Sequence, residues 1–363
     1  MTNWPTWLPL RSNLRDLSAY GAPQVPASAV MNTNENPYPP SAQLAQAISE
    51  RIKEVSLTLN RYPDRDAITL RKKLSDFING LSGTKFSREN VWAANGSNEI
   101  IQSLFLAFGS GKAIGFIPSY SMHPLIAKVT QVQWIAGTRG SDFSLDTESA
   151  LVQIKQAQPV LTFLTTPNNP TGTSISLTDL ENIAQHCTGL LVIDEAYAEF
   201  SDEKSAVTLI EKYPHVVVIR TMSKAFAFAG ARLGYLVAHP SVIESMYLVR
   251  LPYHLSALTQ AAAEVALDFS DELLGTVAQL RKDREIMRAD LERLGLTVIP
   301  SSSNFLLFTG FKQPSAQLWQ QMLDRGVLIR DVGLLGYLRV TIGNEAENKK
   351  FIETLSACLG EQV

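Results

Sequence analysis

The chain has 363 residues, 45% of them hydrophobic, and a formal net charge of −3. That is enough apolar material for a large core plus a second, smaller domain, and the near-balanced charge argues against nucleic acid or a membrane surface as a partner. Two cysteines, Cys187 and Cys358, are too few for a disulfide framework and lack metal-ligand spacing. With no basic and apolar leader and no apolar run of about 18 residues, a cytoplasmic location is expected.

Residues 1–30 are rich in proline and short polar residues and predict an extended arm. Helical periodicity begins near Ser41, in "SAQLAQAISERI" and then "DAITLRKKLSDFI". Short apolar runs then alternate with helical segments: "KAIGFI", "VQWIA", "VLTFLT", "LLVID", "HVVVI" and "LGYLVA". Runs of this length, each followed by a turn or helix, predict a mainly parallel sheet covered on both faces. The expected fold is therefore α/β, with a three-layer αβα large domain over residues 31–255. A long helical stretch from about Ser256 to Leu294 follows. The strands "NFLLF", "VLIRDV" and "YLRVTIG" with closing helices then predict a smaller α+β domain over residues 256–363.

Ligands in such sheets gather at the carboxyl ends of the strands. After "VLTFLT" comes "TPNNPTG", which alone reads as a turn. "DEAYAEF" puts Asp194 at a strand end with Tyr197 close behind, and "TMSKAFAFAGAR" carries Ser223, Lys224 and Arg232. Lys224 lies among alanine, phenylalanine and glycine, where its charged form is disfavoured. Pyridoxal 5′-phosphate accounts for the whole set. Its aldehyde condenses with a lysine amine to an imine, which removes the buried charge. Its protonated ring nitrogen calls for a carboxylate, for which Asp194 is the candidate, and its ring oxygen calls for donors such as Tyr197 and Asn169. Its phosphate calls for a cation and a helix start. In "NGSNEIIQSLFLAF", Gly96, Ser97 and Asn98 precede an amphipathic helix, and Ser223 and Arg232 add a hydroxyl and a charge. "NGSNE" alone is equally a plain helix cap, and no P-loop or dinucleotide fingerprint competes.

The ordered set Asn-Pro-Thr-Gly, Asp-x-x-Tyr and Ser-Lys followed by Arg232 resembles the fold-type I, aspartate-aminotransferase-like family of pyridoxal phosphate enzymes, over nearly the whole chain. "MNTNENPYPP", "RYPDRDA", "PSYSMH", "RTMSKAF", "RLPYHLS" and "LRVTIG" are similar to the histidinol-phosphate aminotransferase branch. The resemblance implies a transaminase acting on histidinol phosphate and 2-oxoglutarate in histidine biosynthesis, as a homodimer with shared active sites. It implies that Lys224 carries the cofactor and shuttles the proton, with Asp194 on the ring nitrogen and Tyr197 and Asn169 on the ring oxygen. Ser97, Asn98, Thr221, Ser223 and Arg232 would surround the phosphate, Tyr120 would stack on the ring, and Tyr62 would reach the phosphate from the partner subunit. Arg339 and Arg330 would take the substrate anion, with Tyr20, Asn36 and Tyr253 as further substrate contacts. His123 and His254 read as structural. The nearest alternative is an aromatic amino-acid aminotransferase, followed by a decarboxylase of a phosphorylated amino acid. The alternative outside enzymes is an effector-binding protein on the same fold.

Overall fold

Each short apolar run becomes a strand, and the intervening periodic segments become helices that cover both faces. The computed structural model describes residues 4–360. A short strand β1 (Ala29–Val30) precedes helices α1 (Ala42–Ser56) and α2 (Ile68–Ser82). The large unit continues through β2 (Val91–Ala94), α3 (Ser97–Phe108), β3 (Lys112–Ile117), α4 (Met122–Val129), β4 (Gln133–Thr138), α5 (Thr147–Ala157) and β5 (Leu161–Thr165). It closes with α6 (Leu177–His186), β6 (Leu190–Asp194), β7 (Val216–Thr221), β8 (Gly234–Val237) and α7 (Pro240–Val249). The remaining elements are α8 (Ala257–Asp268), α9 (Ser270–Arg293), β9 (Thr297–Val298), β10 (Phe305–Thr309), α10 (Ser315–Asp324), β11 (Val327–Leu328), β12 (Leu338–Thr341) and α11 (Glu345–Gly360).

The main sheet has seven strands in the order β2-β8-β7-β6-β5-β3-β4. All neighbours run parallel except β8, which is antiparallel to both β2 and β7. Side chains alternate between two apolar layers. On β7, Val216 and Val218 enter one layer while Val217 and Ile219 enter the other, and on β6 Leu191 and Ile193 oppose Val192 in the same way. The layer holding Val192, Val217 and Ile219 also holds α3 and α4 residues such as Ile100, Leu104 and Ile126. The period of two therefore carries the next residues in step, Asp194 and Thr221, toward the α3/α4 side.

The smaller unit is built on the antiparallel sheet β12-β10-β9 and the parallel pair β1-β11. Among its described residues the arm is irregular, with turns at residues 6–7 and 15–16 and a 3-10 turn at Ser12–Leu14, but its end is not loose. Ser28 and Ala29 donate to Gly326 O, Met31 to Leu328 O, and Thr341 donates to Met31 O. The boundary expected at residue 30 thus falls inside hydrogen bonding to the smaller unit. The helical stretch 256–294 is two helices that meet at Phe269, and the first of them, α8, packs on α1 and α2. No described helix is long and apolar enough to cross a membrane.

Candidate active site

A cleft of about 500 Å³ opens where β5, β6 and β7 end, between the N-terminus of α3 and the residues around Arg330 and Arg339. Its lining includes Ser97, Asn98, Tyr120, Asn169, Asp194, Tyr197, Thr221, Ser223, Lys224, Arg232, Arg330, Arg339 and Tyr20. Residues more than 300 positions apart in sequence converge there because strand ends, one helix start and the smaller unit share an edge.

Lys224 follows the end of β7 and donates from Nζ to Thr33 O at 2.8 Å. Burial, with Arg339 and Arg232 adding repulsion and Glu35 opposing them, brings its amine down to about 8. Asp194 ends β6 and is buried; its Oδ1 accepts from Ala196 N at 3.2 Å. Its Oδ2 lies 3.3 Å from His123 Nε2, an ion-pair distance without a well-aligned hydrogen bond. The His123 ring is held edge-on to Tyr120 and tilted against Phe163 and Trp134. His123, expected to be structural, has the carboxylate of the site as its partner.

Tyr197 OH accepts from Asn34 Nδ2 at 2.9 Å and from Asn169 Nδ2 at 3.4 Å. With two donors pointing at it, its own hydrogen is available for an oxygen in the cleft. Burial keeps this phenol above its ordinary value and therefore protonated. Asn169 Oδ1 in turn accepts from Arg339 Nη1 at 2.5 Å, and Arg339 Nη2 donates to Asn32 O at 2.8 Å. Arg339 Nε is buried without a hydrogen-bond partner, and burial brings its guanidinium down to about 10. Arg330 and Arg339 are locked together by two backbone hydrogen bonds of 2.9 Å. Among the described residues neither arginine has a carboxylate partner.

The start of α3 is a cradle. Gly96 sits at φ +80° and no side chain caps the helix, so the N–H groups of the first turn stay available. A Cβ on Gly96 would lie 2.7 Å from Arg232 Nη2, and one on Gly234 would lie 2.5 Å from Ser97 N. Both glycines thus keep that space open for backbone and guanidinium. Tyr120 OH donates to Asn98 Oδ1 at 3.1 Å, and Ser223 N donates to Thr221 Oγ1 at 3.1 Å. Open N–H groups, two hydroxyls and a cation make an anion site at one end. A lysine, a carboxylate and a phenol occupy the other, so the donor set fits pyridoxal 5′-phosphate.

Three expected residues lie outside the cleft. Asn36 is committed to the protein: its amide donates to Ala225 O at 3.2 Å and Thr276 Oγ1 at 2.9 Å, and its oxygen accepts from Tyr38 N. The amide that reaches the site from this segment is that of Asn34, which the sequence reading passed over. Nothing in "NTNENP" separates the asparagines; in the structure Asn34 is buried at φ +58°. Tyr253 does not enter the cleft of its own chain either. It stacks on Tyr62 with ring centroids 4.3 Å apart on the exposed surface, and Tyr62, expected from a partner subunit, is likewise outside. No described cluster of His, Cys, Asp and Glu could hold a metal ion.

Comparison with known proteins agrees with this geometry. The chain is 54% identical over 356 residues to the histidinol-phosphate aminotransferase of Corynebacterium efficiens, covering 97% of this chain and 95% of that one. It is 53% identical over 358 residues to the enzyme of that name from a Mycobacterium species, covering 98% and 94%. In fold it is similar to the histidinol-phosphate aminotransferase of Sinorhizobium meliloti solved in complex with pyridoxal-5′-phosphate. That likeness has a TM-score of 0.82 at 24% identity, covering 93% of this chain and 92% of that one. A Thermus thermophilus aspartate aminotransferase variant superimposes with a TM-score of 0.83 at 19% identity, covering 96% and 99%. Residues 29–355 match the family model for aminotransferase class I and II, and with relatives this similar along the whole chain, the protein belongs to that family.

Proposed function

We propose that this chain transfers the amino group of L-histidinol phosphate to 2-oxoglutarate, giving imidazole acetol phosphate and L-glutamate, with pyridoxal 5′-phosphate as cofactor and as a step of histidine biosynthesis. The observation that carries the reading is the arginine pair. Arg330 and Arg339 face Lys224 across the cleft without a carboxylate of their own. Guanidinium forks accept a phosphate dianion in one half-reaction and a carboxylate in the other. The relatives of about 54% identity bear the corresponding name.

When bound, the cofactor supplies an aldehyde that links to amines and a protonated ring that takes up electron density from the substrate's α-carbon. Lys224 Nζ is the group placed to hold it and then to take the α-proton, and an amine near 8 is a usable base at neutral pH. The Asp194 carboxylate holds the ring N–H, and His123 behind it fixes which way the carboxylate faces. Tyr197 donates its hydroxyl hydrogen to the ring oxygen, kept in place by Asn34 and Asn169. Tyr120 covers the ring, while Ser97, Asn98, Thr221, Ser223 and Arg232 take the phosphate. Arg339, steered by Asn169 and Asn32, orients the substrate anion with Arg330, and Tyr20 lies over the opening.

The assembly proposed is a homodimer in which Tyr62 and Tyr253 enter the partner's cleft together. Support comes from exposed apolar side chains close to them in sequence: Leu57, Tyr62, Leu248 and Leu251 are each at least 74% exposed, and burial against a second copy would remove them from water. The setting proposed is the cytoplasm. The deciding experiment compares kcat/KM for histidinol phosphate and phenylalanine as amino donors. A large preference for histidinol phosphate is expected; a large preference for phenylalanine would replace this reading with an aromatic aminotransferase.

A further inference from the structure

We infer that Arg11 and Asn13 are positioning residues for Tyr20, fastening the N-terminal arm to the end of α4 so that the phenol stays over the cleft; this rests on the substrate role proposed for Tyr20. Arg11 Nη2 donates to Val129 O at 2.8 Å, and Asn13 Nδ2 donates to Lys128 O at 2.7 Å. Val129 and Lys128 are the last residues of α4, where a cation is favoured and carbonyls lack the i+4 donor of the helix; Lys128 O also accepts from Gln131 N at 3.3 Å. The fastening segment is the 3-10 turn Ser12–Leu14, with Arg11 as its N-cap. It is tightened by Trp4 Nε1 on Arg15 O at 3.1 Å and Arg15 Nη2 on Leu8 O at 3.1 Å.

A second fastening lies just beyond Tyr20. Asn32 Nδ2 donates to Pro23 O at 2.9 Å, and Asn32 O accepts from Arg339. Tyr20 is therefore suspended between α4 and the residue that steers Arg339. It is half exposed and lines the cleft, yet its hydroxyl makes no hydrogen bond among the described residues. What keeps the ring there is the path of the arm. The segment from Asn13 to Tyr20 reaches at most roughly 25 Å when extended, so releasing its far end multiplies the positions open to Tyr20. The anchoring helix is also the one that follows Tyr120 and carries His123 behind Asp194, so one short element serves both the cofactor wall and the cover.

An unfastened arm lowers the fraction of protein ready to bind, which raises KM while leaving the chemical step alone. In the holoenzyme, Arg11→Ala combined with Asn13→Ala is expected to raise KM for histidinol phosphate roughly five- to fiftyfold, the equivalent of two ordinary hydrogen bonds, with kcat changed by less than about twofold. Trypsin should cut after Arg15 faster than in the parent, and Arg11→Lys should recover part of the KM because it keeps a cation on the carbonyls. Adding Tyr20→Ala to the double variant should change KM little further, since the two changes act on one contact. If Tyr20→Ala raises KM but the anchor variant does not, the anchoring is refuted and the substrate contact stands. If Tyr20→Ala leaves KM unchanged, the contact and the anchor's purpose fall together.

Discussion

Replacing Gly96 by alanine separates the cofactor phosphate site from the rest of the cleft. Gly96 holds φ +80° and ψ 168° immediately before α3, a conformation essentially reserved for glycine and costing another residue about 1–3 kcal/mol. The new Cβ would also lie 2.7 Å from Arg232 Nη2, with the guanidinium carbon at 3.4 Å. Backbone cannot yield there cheaply, but the end of a flexible arginine can, so Arg232 swings away from the helix start. A hydrogen bond to a charged group contributes about 1.5–3 kcal/mol. At about 1.4 kcal/mol per tenfold, affinity for pyridoxal 5′-phosphate should fall by about 10- to 150-fold. Two measurements divide the effects: melting of the apoprotein reports the backbone strain, and titration of apoprotein with cofactor reports the phosphate site. Pyridoxal without its phosphate should bind parent and variant alike, and Arg232→Gln should reproduce the affinity loss without the strain. Unchanged cofactor affinity in both Gly96→Ala and Arg232→Gln would refute the assignment of this helix start and its arginine to the phosphate.

Lys224→Met should abolish the borohydride-trapped cofactor adduct and, in the apoprotein, remove a pH dependence of stability. The lysine's pKa is about 8 in the folded apoprotein and about 10.4 unfolded. Between these values the unfolded chain binds more protons, so this group makes stability rise with pH across the window and costs stability below it. The variant should therefore melt higher at neutral pH and lose that rise; coincident melting profiles would contradict a buried, depressed amine. Mixing Lys224→Ala with Tyr62→Ala should restore activity that neither has alone, to about a quarter of the parent, because a two-fold dimer of mixed chains contains one site with both side chains intact. No recovery on mixing, with dimers verified by ultracentrifugation, would refute a shared site.

Much of the fold was legible because strand length and pattern agreed with the architecture. "KAIGFI" and "LLVID" are β3 and β6 to the residue. Strand β2, "VWAA", escaped notice because four residues of mixed size carry no period of their own. The break at Phe269 between α8 and α9 escaped it because neither glycine nor proline marks the place. Within the site, the residues expected at strand ends line one cleft, since sheet order brings those ends together. The choice of Asn36 over Asn34 failed for a local reason. Asn34 adopts a left-handed conformation, which reverses the chain and breaks the alternation that would otherwise put both amides on one side. Tyr253 lies outside its own chain's cleft for a longer-range reason: its stacking on Tyr62 belongs to a surface, and nothing in one chain's periodicity says which cleft a surface faces.

The same alternation explains how the strand ends bear so many polar groups. Asp194 and Thr221 face the cleft, so their neighbours Glu195 and Arg220 must face the opposite layer, where they are equally buried. Arg220 Nε lies 2.9 Å from Glu195, and Nη1 lies 2.8 Å from Glu199, a few residues past Tyr197. Glu195 also accepts from Ser205 Oγ and Ala206 N, both at 2.7 Å. Burial pushes the Glu199 carboxyl up while Arg220 pulls it down, so the pair of acids depends on one guanidinium. Ion clusters of this kind rarely add net stability over an apolar core, yet removing one member leaves the others uncompensated at a cost of about 3–5 kcal/mol. The cluster ties the end of β6, the turn after Tyr197 and the end of β7 to one another from behind. Asp194, Tyr197 and Lys224 stand on those three segments, so the spacing of the reacting groups is fixed from the side of the sheet that substrate never touches.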